Sequence, residues 1–305
     1  MATPAQWIEG ARLRTLPLAI APIIAGSAAA FEMNEFKPFR AVLAFLVAFF
    51  LQVGVNYAND YSDGIKGTDE VRVGPLRLVG SGVAKPAHVK KAAFVCFGLA
   101  MLAGLWLVAL ANQWWFLAIG ASAVFAAWGY TGGKHPYGYL GLGDVFVFIY
   151  FGLVATLGTL YTQTAALSLS GWVFAITLGL FSCALLMANN VRDIPTDRES
   201  GKLTMAVRLG DKWSRRVYVI EMAVGLLLTL LLIPGNPWYL LVFMLMGPTI
   251  HSSVVVLSQS HGKALIPVLK QAGLVALAYS VLVAIAAYLG TFDLFTPEVS
   301  YFTGY

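Results

Sequence analysis

An all-α, polytopic membrane protein, organised as one domain over residues 1–305, is predicted by three features of the sequence. Hydrophobic residues make up 59% of the chain and charged residues only 11%, against about a quarter charged in ordinary soluble domains. The mean hydropathy is +0.75, too high for a soluble globule to hide its apolar surface. The apolar residues fall in blocks of about 17–25, the length that carries a helix across a hydrocarbon core of roughly 30 Å.

Nine such blocks lie near residues 15–33, 40–61, 88–110, 114–132, 143–163, 170–190, 215–233, 238–257 and 271–290. Lipid offers no partner to backbone N–H and C=O groups, so each block is expected to be a helix. The first follows Arg12 and Arg14 and resembles a cleavable leader; the spans that follow it make a membrane segment the better reading. The connections are short except for 62–87 and 193–213, which come after the second and sixth spans. Long connections in compact proteins tend to carry function. No internal repeat or low-complexity tract interrupts the chain.

The basic residues are distributed unevenly. Arg12, Arg14, those of residues 62–91, Lys134, those between 192 and 216, Lys263 and Lys270 fall on one side, and Lys37 and Arg40 on the other. By the positive-inside rule this predicts a plasma-membrane protein with a cytoplasmic N-terminus, both long loops in the cytoplasm and the 34–39 and 164–169 connections outside. The net charge of +5 is thus concentrated on one face, where it attracts anionic membrane lipids or an anionic substrate. No nucleic-acid-binding motif is present, which argues against nucleic acid as a partner. Cys96 and Cys183 both fall inside spans, so neither a disulfide framework nor a thiolate metal cluster is expected.

Two stretches carry chemistry. The second span ends in Asn56-Tyr-Ala-Asn59-Asp60-Tyr-Ser-Asp63, whose amides and carboxylates share one face at helical spacing. The sixth ends in Asn189-Asn190-Val-Arg192-Asp193-Ile-Pro-Thr-Asp197, a second oxygen-rich face whose last turn Pro195 is expected to distort. Such groups on apolar helices are costly and usually face a water-filled cavity or a partner. Hard oxygen donors suit Mg²⁺, which bridges carboxylates to phosphates. The plainer reading, that each Asp caps a helix or pairs with Arg72 or Arg192, weakens when two such faces meet at one membrane surface.

Tyr130-Thr-Gly-Gly-Lys134 closes the fourth span and Arg72-Val-Gly-Pro-Leu-Arg77 lies in the first long loop. Both offer cations to an anion, although headgroup snorkelling also explains Lys134. Arg208, Lys212, Arg215 and Arg216 read as topology charges. His88, His135, His251 and His261 show no metal spacing. The 13% aromatic content suits an isoprenoid tunnel or, equally, a membrane belt.

At these motifs, and over nearly its whole length, the chain resembles the UbiA-type superfamily of intramembrane aromatic prenyltransferases. The resemblance implies a nine-helix UbiA-type bundle and a Mg²⁺-dependent transfer of a polyprenyl group from polyprenyl diphosphate to an aromatic acceptor. Asn56, Asp60, Asp63, Asp193 and Asp197 would hold the metal, and Arg72, Arg77, Tyr130, Lys134 and Asn189, with Asn56, would bind the diphosphate. The commoner pattern places a carboxylate where Gly64 stands, and Asp63 replaces it; Asn189 stands where many relatives have Asp. The first of these departures favours the branch acting on 1,4-dihydroxy-2-naphthoate, whose reaction, the resemblance implies, also releases CO₂ and yields a demethylmenaquinone. Other acceptors, such as 4-hydroxybenzoate or homogentisate, stay open, as does an anion or metal transporter.

Overall fold

The structure is a computed structural model that describes residues 2–67, 76–258 and 260–292. Among these residues every regular element is helical, as the apolar blocks require. Seven helices are long and apolar enough to cross a membrane: Pro4–Glu32, Pro38–Ile65, Pro86–Ala111, Gly143–Thr164, Leu169–Glu199, Pro237–Leu257 and Gly262–Leu289. The remaining two expected spans are helices that do not meet that description. Phe116–Gly129 has 14 residues, a length of about 21 Å. Asp211–Leu228 contains Asp211, Lys212, Arg215, Arg216 and Glu221, which lower its hydropathy.

Local sequence sets the helix ends. Pro38 and Pro86 open their helices, where a missing N–H costs nothing. Asn112, in the left-handed region at φ 55°, closes Pro86–Ala111. The Ser168 hydroxyl accepts from the Gly171 N–H at 3.1 Å and caps the next helix. That helix runs through Pro195 to Glu199 without a break, so the second motif stays on one continuous rod.

Leu169–Glu199 is the most buried of the spans, with 72% of its apolar window inside the protein. It packs against Leu16–Glu32, Asp211–Leu228 and Ile266–Leu289. Small residues allow the close approach, as is common in lipid, where water does not drive helices together. A Cβ on Gly152 would stand 2.5 Å from the Gly179 Cα, and one on Gly225 would stand 2.6 Å from the Phe181 ring. Gly152 lies in a π-helical stretch, Phe148–Val154, inside the Gly143–Thr164 span. Such widened turns are frequent beside functional sites.

Connections meet at the two ends of the bundle. At one end Lys66 Nζ donates to the Thr131 carbonyl at 2.7 Å, and the Leu203 N–H donates to the Tyr139 carbonyl at 2.9 Å. At the other, Lys37 Nζ donates to the Gln163 carbonyl at 2.7 Å and Arg40 to the Thr162 carbonyl at 2.8 Å. The two basic residues that break the charge pattern thus cap the carbonyl end of Ala155–Thr164.

Arg215 corrects its reading as a surface topology charge, for it is 2% exposed. It forms two bonds to Asp211, at 2.7 and 2.8 Å, and donates to the Val256 carbonyl at 2.6 Å, joining two helices. The same guanidinium holds the Asp211 carboxyl below its ordinary range.

Candidate active site

The two oxygen-rich helix ends converge on one chamber of about 430 Å³. Asn56, Asn59, Asp63, Asn189 and Asp197 line its polar end, together with Arg12, Arg77 and Lys202. Its body is apolar, walled by residues such as Leu107, Phe116, Ile119, Phe146 and Phe151. A polar head above an apolar body fits an amphiphile with an anionic group, and the hard oxygen donors at the head suit a divalent cation such as Mg²⁺. Among the described residues, however, no three His, Cys, Asp or Glu side chains stand close enough to hold a metal ion together. The mixture of amides and carboxylates is compatible with such an ion only if water and substrate complete its shell.

Each acid has a distinct partner. Asp60 is fully buried and is not part of the chamber wall. Its carboxylate accepts from the Leu78 N–H at 2.8 Å and the Val79 N–H at 3.0 Å. It thereby anchors the turn that presents Arg77 to the chamber. Asp63 accepts from the Tyr139 hydroxyl at 2.8 Å and lies 3.6 Å from Lys202 Nζ. Asp193 is chelated by Arg192, through Nε at 2.6 Å and a terminal nitrogen at 2.7 Å. The same guanidinium donates to Asn189 Oδ1 at 2.9 Å. The pairing of Asp193 with Arg192, weighed from sequence as the plainer reading, is therefore present. Asp197 lines the chamber, and its carbonyl accepts from the Lys202 N–H at 2.8 Å.

The amides organise the wall. Asn56 Nδ2 donates to the Ala11 carbonyl at 2.9 Å and to Thr15 Oγ1 at 3.2 Å. It steadies the turn in which Arg12 adopts a left-handed φ of 53°. Asn59 Oδ1 accepts from the Thr131 hydroxyl at 2.8 Å.

The expected cations are only partly brought together. Arg77 and Tyr130 line the chamber. Lys134 is exposed and is not part of its wall, because the turn after the Phe116–Gly129 helix carries it outward. Arg72 lies outside the described residues. Sequence reasoning missed Arg12, Lys202 and Tyr139. Lys202 and Lys66 approach the Tyr139 ring at 4.6 and 5.0 Å from its centroid, within cation–π range. Burial lowers the Lys66 ammonium from its ordinary value. The signal was faint: Lys202 was visible only as one basic residue of a long loop.

A helical membrane protein with a one-ended polar chamber is the class that this fold and site define. The model of the UbiA prenyltransferase family matches residues 19–266, and the chain belongs to that family. It is 47% identical over 290 residues to the 1,4-dihydroxy-2-naphthoate octaprenyltransferase of Mycobacterium tuberculosis, covering 95% of this chain and 99% of that protein. It is 43% identical over 218 residues to the protein of the same description from Escherichia coli, covering 70% of this chain and 71% of that one. The fold is shared with a UbiA homolog from Archaeoglobus fulgidus solved with GPP and Mg²⁺, at a TM-score of 0.64 and 14% identity, over 91% of this chain and 99% of that one.

Proposed function

We propose that the protein transfers a polyprenyl chain from polyprenyl diphosphate to 1,4-dihydroxy-2-naphthoate, with loss of the ring carboxylate as CO₂, giving a demethylmenaquinol, the two-electron-reduced form of a demethylmenaquinone, for menaquinone biosynthesis. The observation that carries this reading is the end-to-end similarity to the mycobacterial protein of that description. The chamber supports it, since its charged head and apolar body match a prenyl diphosphate. A second groove of about 580 Å³, almost wholly apolar, shares Ile23 with the chamber and offers room for a longer isoprenyl tail.

In this reading Asn56, Asp63, Asn189 and Asp197 would hold a divalent cation at the head of the chamber, with Asp60 and Asp193 setting the positions of Arg77 and Asn189. Such a cation would supply charge neutralisation for the departing diphosphate. Arg12 and Arg77 bind the diphosphate oxygens and orient the allylic carbon toward the apolar body. Tyr130, Tyr137 and Phe146 line that region, where their faces stabilise developing positive charge. The walls exclude water, so the electron-rich ring is the nucleophile that captures the allylic cation. The new C–C bond forms at the carbon bearing the carboxylate, and the electron pair of the broken C–CO₂ bond restores the aromatic ring.

Purified protein given one prenyl diphosphate and naphthoate labelled at its carboxylate should release one labelled CO₂ per unlabelled prenylated lipid. A product that keeps the label, or faster turnover of 4-hydroxybenzoate in direct competition, would move the assignment to another acceptor.

The same reading has the chamber's polar end facing the cytoplasm of a plasma-membrane protein. In a chain lacking Cys96 and Cys183, single cysteines replacing exposed Ala87 and Leu167 report the two bundle ends. An impermeant thiol reagent applied to intact cells should label the Leu167→Cys protein and spare Ala87→Cys. The reverse pattern would invert the orientation.

A further inference from the structure

Lys202 is 7% exposed and lines the chamber. Burying an ammonium is costly unless an anion compensates it. Its partner is Asp63, with Nζ 3.6 Å from Oδ1, and the Tyr139 hydroxyl donates to that same oxygen at 2.8 Å. The backbone of Lys202 is tied down separately, its N–H donating to the Asp197 carbonyl at 2.8 Å. The main chain of Lys202 is thus held beside one chamber acid while its side chain neutralises another. The Tyr139 ring gives the ammonium a second resting contact, 4.6 Å from the centroid.

A carboxylate engaged by an ammonium is a poor ligand for a divalent cation, because the two positive charges compete for one oxygen. Once the cation is bound, the ammonium has lost its counter-charge inside a low-dielectric chamber. The nearest new anion is the diphosphate arriving with the metal.

We propose that Lys202 is a partner-switching residue: it neutralises Asp63 in the empty chamber and transfers its ion pair to the diphosphate oxygens when metal and diphosphate bind together. The switch rests on the diphosphate–metal reading above and adds a consequence to it. The metal alone displaces Lys202 without offering it an anion, so metal and diphosphate bind with positive cooperativity. Tyr139 is the positioning residue, holding Asp63 through its hydroxyl and Lys202 over its ring.

The test uses the full-length protein in detergent, with Mn²⁺ and inorganic diphosphate as probes. Lysine reactivity toward an amine-acylating reagent is read at Lys202 by peptide mass spectrometry, with Lys263, exposed and outside the chamber wall, as reference. Mn²⁺ alone should raise labelling of Lys202, and Mn²⁺ with diphosphate should lower it below that of the empty protein, while Lys263 stays constant. In Lys202→Met, Mn²⁺ alone should bind about tenfold more tightly and diphosphate with Mn²⁺ about tenfold more weakly, each shift about 1.4 kcal/mol. The labelling arm needs no variant, so a misfolded Lys202→Met does not decide the outcome. If both probes bind and Lys202 labelling does not respond, the switch is wrong and the metal–diphosphate reading stands. If neither probe binds the unaltered protein, both fall.

Discussion

Asp60→Asn is expected to lower kcat/KM on the order of a thousandfold, about 4 kcal/mol of transition-state stabilisation. The carboxylate is fully buried and accepts two backbone N–H groups, from Leu78 and Val79. Hydrogen bonds to a charged group contribute about 1.5–3 kcal/mol each. An amide of the same shape keeps one acceptor and turns an NH₂ group toward the other N–H, and full burial keeps bulk solvent from relieving the mismatch. The 76–79 turn then moves, and Arg77 moves with it. In the proposed mechanism the diphosphate then loses a cation, and the acid face loses a negative charge that acts on Asp63. Arg77→Met removes only the first of these and should cost about tenfold to a hundredfold. Steady-state rates of both variants, taken on protein with a single melting transition in detergent, decide the matter. An Asp60→Asn rate within tenfold of the unaltered protein would show the anchor to be dispensable.

Removing divalent cations is expected to stop turnover altogether. Arg12, Arg77 and Lys202 line the head of the chamber, but so do Asp63 and Asp197, which leaves little net positive charge for a multiply charged diphosphate. Two carboxylates facing that anion are repulsive unless a cation stands between them. Excess EDTA should therefore abolish prenyl transfer, and added Mg²⁺ should restore it. Full turnover in EDTA, with no metal retained by elemental analysis, would remove the metal from the mechanism. Asp63→Asn extends the test: with its counter-charge gone, Lys202 competes less for the site, yet one metal donor is weakened. The rate should fall with a higher Mg²⁺ requirement.

The fold was largely legible because a bilayer leaves few choices. Apolar blocks of spanning length must be helices, and seven of the expected spans have the length and apolarity to cross. The two that fall short are those in which length or charge departs from the rule, the 14-residue Phe116–Gly129 and the charged Asp211–Leu228. The acid faces were legible too, since helical spacing alone lines up Asn56, Asn59 and Asp63.

The site's cations were not legible in the same way. Lys134 belongs to the stronger motif, yet it is exposed; Lys202 looked like one loop charge among several, yet it is buried against Asp63. Periodicity places residues on a face of their own helix but is silent about what another loop brings to that face. Asp60 and Asp63 share a helix end, yet one holds the Leu78–Val79 backbone and the other meets Tyr139 and Lys202.

Sequence by itself determined the solvent, the helices, the charge asymmetry and the two oxygen-rich faces, because each follows from local composition and a fixed helical repeat. Tertiary structure alone decided which acid anchors a turn, which lines the chamber and which ammonium neutralises it. Those pairings join segments far apart in the chain, and burial of charge, which makes each pairing obligatory, exists only once the helices have packed.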